Sequence, residues 1–357
     1  MPDKRILICI TSQFGYHTDT YMYCKYLNHI KYEVHYAGFD TGLPRRELPN
    51  VQVHYIPVHA NKLKLYILYL SSINKLIKKE NFDVLFLVDC QASLLIRLCN
   101  IRRKSIMDVR TGDVKLIAGP ISFYNLKIWF STLFFKRITI ISESLRQVLG
   151  LSSKKCHLLP LGGELLDLPA KKFDMISLFY IGTLKNRNIQ HTVEGLSMYL
   201  KRNGLSIRVQ YNIVGFGTHE QEKLLDCIEK NQLGHVVTFH GRKNHSEVFS
   251  LFEKSNIGVV YLPITKGYSC QPTTKLYEYL LSGMPVIATK TLENELSITQ
   301  TDGVLIQDTP EAFALGLEMF VSRRDSYNSE MLKQKFNKYT WENIVKQNLE
   351  PYLDLIC

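Results

Sequence analysis

Four side chains within six residues raise the first chemical question. In "SCQPTTKLYEYLLSGMPVIAT", residues 269–289, Thr273, Thr274 and Lys275 follow a proline, Glu278 comes three positions later, and the pattern stops at Gly283-Met284-Pro285 before an apolar run. Pro272 suits the entry to a helix, either threonine can cap free backbone N–H groups, and Leu276, Leu280 and Gly283 recur at i, i+4 and i+7 on one buried face. On that spacing Glu278 points away from the core. A helix start at the carboxyl end of a strand is a ready anion site, because the peptide dipoles end there in partial positive charge and uncommitted N–H donors. Lys275 adds a full cation in a first turn that otherwise disfavours one, which makes sense beside a phosphate. Glu278, one turn in, would then accept hydrogen bonds from the paired hydroxyls of a ribose, as acidic residues do in nucleotide-binding α/β sheets. The plainer alternative is that Lys275 and Glu278 form only an i,i+3 surface pair.

Such a loop needs parallel strands to hold it. Short apolar runs alternate with longer amphipathic ones along the whole chain, the signature of parallel sheets covered by helices. Strands are predicted in the first half at 5–11, 33–37, 51–56, 84–88, 105–108, 137–141 and 157–159. In the second half they are predicted at 176–181, 208–214, 236–239, 257–261, 285–288 and near Val304. Between the halves, "LPLGGELLDLPAKKFD" lapses into glycine, proline and charge, which places a linker at 161–174. The fold class is therefore α/β, with two Rossmann-like doubly wound domains facing each other across a cleft: 1–167 first, 168–339 second, and 340–357 a C-terminal helix packing back on the first domain.

The 357 residues agree with two domains at roughly 100–200 residues each. The apolar stretches at 63–73 and 126–135 fall short of the ~18–20 residues that cross a bilayer, and the opening "MPDKRILICITSQ" reads as a buried strand rather than a signal peptide. Eight scattered cysteines include no C-x-x-C, which argues against a disulfide framework and a structural zinc site and leads us to expect a reducing cytoplasm. The net charge of +11 is lopsided: residues 1–167 hold 23 Lys and Arg against 13 Asp and Glu, the remainder 21 against 20. An anionic partner for the first half follows.

The segment "PTTKLYEYLLSGMPVIAT" resembles the donor-binding segment of GT-B glycosyltransferases, specifically the large retaining family 4, also described as glycosyl transferases group 1. The likeness extends to "LFYIGTLKNRNIQHTVEGL", "YNIVGFGTHEQEKL", "VTFHGRKNHSEVFSLFEKSNIGVVYLP" and the closing "YTWENIV". It implies a GT-B fold, transfer of a sugar from a UDP- or GDP-sugar with retention, no metal and no cofactor, since the nucleotide sugar is a substrate. Of the family's E-x7-E pair, Glu278 matches the ribose-binding member, whereas Cys270 stands where the first glutamate is usual. In "GTLKNRN", Arg187 matches a diphosphate-gripping lysine and Thr183 stands where an arginine is usual, with Lys185 in a position to compensate. Two cations there would stabilise the departing nucleotide without a metal, in keeping with the lack of any D-x-D. Gly215 and Gly217 form a tight strand-to-helix turn that lets a ligand approach, and Arg242 in "HGRK" belongs to the segment near the base. In the first half, Gly15 matches the glycine loop that approaches the donor and His17 is a candidate contact to acceptor or sugar. "MDVRTGD" resembles the acceptor-side loop: Asp108 and Arg110 either orient the acceptor or pair with each other.

Finally, Tyr66, Tyr69, Phe123, Tyr124, Trp129, Phe134 and Phe135 lie among eight Lys and Arg of the first half. Basic, aromatic-rich amphipathic helices bind anionic membrane surfaces. The expectation is a cytoplasmic, peripheral membrane enzyme of polysaccharide biosynthesis with a glycan or lipid-linked acceptor. Two rivals stand beside it: a nucleotide-sugar epimerase on the same frame, and a nucleic-acid-binding protein, which a basic half would suit but for which no basic recognition helix or stacking motif is present.

Overall fold

Strands buried on both faces should read as unbroken apolar runs, and "VLFLV" at Val84–Val88 is such a run, buried at every position. The computed structural model describes residues 4–88, 90–115, 122–204 and 207–357. These divide into two compact units, Met1–Gly162 with Trp341–Cys357, and Gly163–Thr340.

The first unit contains β1 (Lys4–Cys9), β2 (Tyr32–Asp40), β3 (Val51–Pro57), β4 (Val84–Val88), β5 (Ser105–Val109), β6 (Ile138–Ile140) and β7 (Cys156–Leu158). They form one parallel sheet in the order β3-β2-β1-β4-β5-β6-β7. The second unit contains β8 (Ile176–Thr183), β9 (Val209–Phe216), β10 (Val237–Phe239), β11 (Ile257–Val260), β12 (Val286–Thr289) and β13 (Gly303–Ile306), in the order β10-β9-β8-β11-β12-β13, again parallel. Both sheets wind outward in one direction and then reverse, between β1 and β4 in the first and between β8 and β11 in the second. Loops leaving the carboxyl ends of those adjacent strands diverge to opposite faces and leave a crevice, the usual ligand site of such sheets. The doubly wound α/β class expected from the sequence is the class observed.

Helices cover the sheets through apolar faces. In the second unit Val193, Leu196, Phe313, Leu317 and Phe320 are buried in one core with Tyr211 and Ile287 from the strands. The end of the chain completes the first unit: Trp341 is buried on Gly162 and meets Tyr23 edge-on at 6.1 Å, and Tyr352 stacks on His157 at 4.1 Å. Asp354 pairs with Lys4 at 3.2 Å and with Lys31, next to β1 and β2. Among the described residues no helix is long and apolar enough to cross a membrane.

Because Trp341 is buried in the core of the first unit, Trp341→Ala should cost about 3–5 kcal/mol of unfolding free energy. Urea denaturation followed by circular dichroism measures this; a loss below about 1 kcal/mol would show that the tail is not part of that core.

Candidate active site

In the second unit, the donor-side residues are held by backbone close approaches. Gly258 of β11 faces the ring of Tyr279, which a Cβ would meet at 2.3 Å, so the helix Thr274–Leu281 lies directly on the sheet. The Tyr279 hydroxyl accepts a hydrogen bond from the Ile181 amide of β8 at 3.0 Å, tying this helix to both strands of the crevice. Thr273 is the N-cap, its Oγ1 accepting from the Leu276 amide at 3.3 Å. The amides of Thr274 and Lys275 are left without an acceptor within the helix. Leu276, Tyr277, Tyr279 and Leu280 are buried, whereas Thr274, Lys275 and Glu278 keep partial exposure. Lys275 Nζ donates to Glu278 at 2.6 Å, so the surface pair exists, and it sits at the mouth of the helix start.

The loop after β8 brings the other cations. Its turn uses left-handed backbone at Asn186 (φ 58°) and Asn188 (φ 52°), a conformation asparagine tolerates better than most residues. Lys185 is exposed, its amide bonded to Thr183 Oγ1 at 3.3 Å. Arg187 lies with its guanidinium 4.5 Å from the centre of the Tyr268 ring, and its Nη1 is buried with no hydrogen-bond partner among the described residues. A buried guanidinium nitrogen without a partner is a donor waiting for an anion. Leu184 packs beneath Gly215 and Gly217, and a Cβ on Gly215 would lie 2.6 Å from the Gly182 carbonyl, so this glycine lets β8 and β9 end close together. Gly217 is the N-cap of the helix Thr218–Lys230. Arg242 is exposed, 5.3 Å above the ring of Phe216, which is itself exposed at the end of β9.

Cys270, at the position of the expected first carboxylate, is a buried thiol at the end of the short helix Lys266–Ser269, within 3.7 and 3.5 Å of the carbonyls of Lys266 and Gly267. Burial raises its pKa, which keeps it protonated.

In the first unit, Asp108, Arg110 and His17 line one pocket of about 380 Å³ at the carboxyl ends of β1, β4 and β5, together with Tyr66 and Tyr124. Arg110 Nε donates to Asp19 at 2.7 Å and Nη1 to the Leu159 carbonyl at 2.6 Å, while Asp108 lies 3.8 Å away. Asp19, on the helix after β1, is the closer partner, so the two alternatives for Asp108 and Arg110 omitted the residue that does most of the pairing. Thr139 donates to Asp108 Oδ1 at 2.7 Å; Asp108 Oδ2 and Arg110 Nη2 are buried without partners among the described residues. Burial pushes the Asp108 carboxyl up, the Arg110 charge and the Thr139 hydrogen bond pull it back, and it comes to about 6. His17 is the N-cap of the helix Thr18–Tyr26, accepting from the Thr20 amide at 3.4 Å, and burial lowers its pKa. Gly15 has left-handed backbone (φ 87°), with the Arg46 side chain packed on the side where a Cβ would stand.

Sequence reasoning passed over Tyr268, Phe216 and Gln271. An aromatic in a loop reads as stray core, but two of these carry arginines. The exposed Phe216 between two glycines had a period-2 signal, since alternation turns it away from its buried neighbour Gly215.

Residues 176–322 match the sequence model of the family described as Glycosyl transferases group 1. No curated protein matches the chain. Among solved structures, a glycosyltransferase from Rickettsia africae aligns with TM-score 0.78 at 15% identity, covering 99% of this chain and 98% of the other. Sucrose-phosphate synthase from Thermosynechococcus elongatus aligns with TM-score 0.77 at 14% identity, covering 99% of both chains. HepE of Anabaena, solved with UDP and glucose, aligns with TM-score 0.76 at 12% identity over 99% of this chain and 100% of its own. At such identities the likeness establishes the fold, which is GT-B.

Asp108 offers a test of the first-unit pocket. With a folded pKa of about 6 against about 3.9 unfolded, the native state keeps a proton that the unfolded chain releases. The stability this contributes is complete below about pH 4 and is lost as pH rises through 6. Relative to Asp108→Asn, the wild type should lose about 2 kcal/mol between pH 4 and 7. Denaturation curves of the two proteins at several pH values measure it, and a constant difference would contradict the burial argument.

Proposed function

We propose that this chain, whose second unit carries the glycosyl transferases group 1 pattern, transfers a sugar from a nucleoside-diphosphate sugar to a hydroxyl of a lipid-linked glycan, with retention at the anomeric carbon. The observation that carries the reading is the donor set at the end of the second sheet. The buried, partnerless Arg187 nitrogen, exposed Lys185, Lys275 and a capped helix start with free amides stand on the loops after β8 and β11. That set suits a diphosphate. UDP is the first candidate, because the structurally similar HepE is solved with UDP and with UDP-glucose.

The chemistry then follows from charge. As the bond from the anomeric carbon to the phosphate oxygen breaks, negative charge builds on the diphosphate, and Arg187, Lys185 and the first-turn amides stabilise it. The acceptor oxygen bonds to the anomeric carbon and its proton passes to a phosphate oxygen of the leaving group, so no carboxylate nucleophile is needed. Glu278 turns from Lys275 toward the ribose hydroxyls. In the first unit, Asp108 Oδ2 and Arg110 Nη2 give an acceptor sugar one hydrogen-bond acceptor and one donor.

A membrane-bound acceptor is supported by the surface of the first unit. The helices Lys62–Lys79, Cys90–Cys99 and Phe123–Thr132 pack side by side and expose Leu63, Ile67, Leu95, Leu98, Phe123 (75% exposed) and Phe130, with a hollow of about 550 Å³ between the last two. Tyr69 and Phe135, grouped with this surface from sequence, are core residues instead. The same helices expose Lys62, Lys64 and Lys127, the last 5.5 Å from the Phe123 ring. Apolar side chains this exposed, with cations on the same helices, match the interfacial layer of an anionic bilayer.

Glu278→Ala should weaken UDP binding about tenfold, as loss of a charged hydrogen bond to the ribose does; unchanged affinity would remove the ribose role. Arg187→Ala should lower UDP release from saturating UDP-sugar about a hundredfold or more, since its main work is in the transition state. A variant weak in binding but unimpaired in turnover would contradict that role. A changed sugar still joined to UDP would mark an epimerase instead. Separately, the chain should sediment with phosphatidylglycerol vesicles at low salt but not with phosphatidylcholine ones, and Phe123→Ser with Phe130→Ser should cut that binding about tenfold. No sedimentation of the wild type would dismiss the membrane face.

A further inference from the structure

Building on the donor-site reading, we infer that the side-chain amide of Gln271 selects the donor sugar by donating a hydrogen bond to an acceptor-only oxygen on it, the carbonyl of an N-acyl group or a carboxylate. Gln271 lies on the loop between β11 and the helix Thr274–Leu281 and is 8% exposed, with Nε2 buried and, among the described residues, unpartnered. A buried donor without an acceptor costs about 1–3 kcal/mol. Nothing in the local fold needs that amide, since the turn is made by the backbone, whose Gln271 N–H donates to the Tyr268 carbonyl at 3.1 Å.

The surroundings narrow the missing partner. Arg187 stacks on the ring of the same Tyr268, and its Nη1 is the second buried donor here without a partner. The two residues that carry these donors, one charged and one neutral, both contact Tyr268, Arg187 at its ring and Gln271 at its backbone carbonyl. The charged one suits the diphosphate, which leaves the neutral one for a group next along the donor molecule, its sugar. The neighbouring groups are committed: Thr273 Oγ1 caps the helix, and the Cys270 thiol sits against the carbonyls of Lys266 and Gly267. A sugar hydroxyl bonded to Gln271 would bring a proton of its own, and a protonated thiol is a poor acceptor for it. An oxygen carrying only lone pairs meets no such problem.

The test is calorimetric titration of the full chain with UDP, UDP-glucose, UDP-N-acetylglucosamine and UDP-glucuronate. One of the last two should bind about tenfold more tightly than UDP-glucose, the size of one hydrogen bond, and which one does so identifies the carbonyl. Gln271→Leu should abolish that preference while holding UDP affinity within about twofold, and Gln271→Glu, which replaces the donor by an acceptor of the same shape, should reverse it. Thermal melts of both variants check that they fold. If UDP binds but UDP-glucose equals or exceeds both carbonyl-bearing sugars, or if the preference survives Gln271→Leu, the assignment of Gln271 is wrong while the donor site stands. If another nucleoside diphosphate binds in place of UDP, the same comparison is made with the sugars of that base; if no nucleoside diphosphate binds, the donor-site reading falls and takes this inference with it.

Discussion

The whole arrangement rests on a constraint of chain winding. A parallel sheet that grows to one side and then reverses must leave two neighbouring strands whose following loops part to opposite faces, and nothing covers the carboxyl edge between them. In the second unit those strands are β8 and β11. Because β11 has Gly258 where the ring of Tyr279 comes down, and because that tyrosine's hydroxyl takes the Ile181 amide of β8, the helix after β11 is fixed to both at once. Its free first-turn amides therefore stand at the crevice by construction.

Electrostatics then explains residues that make poor structural sense alone. A lysine in the first turn of a helix works against the dipole, and a guanidinium nitrogen shut away from water without a partner is costly. Lys275 and Arg187 accept both penalties on the two loops that flank one crevice. A bound anion relieves both. The first unit shows the same economy with opposite signs in balance: Arg110 is held by Asp19 and faces Asp108, whose second oxygen has no partner.

The positions of the strands were legible because burial on both faces writes itself as apolar runs: 84–88 is expected and β4 is Val84–Val88, 51–56 is expected and β3 is Val51–Pro57. The ends were less so, as β8 continues past 181 through Gly182 and Thr183, where side-chain hydrophobicity has stopped but backbone pairing with β9 has not. The helix start at Thr273 was legible from cap chemistry, which is local. Contacts made across sequence were not: Asp19 lies 91 residues before Arg110 and Tyr268 lies 81 after Arg187, so neither pairing leaves a mark in any window of sequence. His17 could be seen as a loop histidine near a helix but not as its cap, because histidine is an uncommon residue in that place.

On this reading the crevice of the second unit holds the diphosphate of a nucleotide. Thermal unfolding of the purified chain with uridine, UMP, UDP and the other nucleoside diphosphates tests it most directly. A ligand at about 100 times its dissociation constant stabilises by about 2.7 kcal/mol, worth several degrees in a unit of this size. That rise is expected for one nucleoside diphosphate, a smaller one for its monophosphate and none for the free nucleoside. Melting temperatures that ignore every diphosphate, or that respond to the nucleoside as strongly as to the diphosphate, would contradict it.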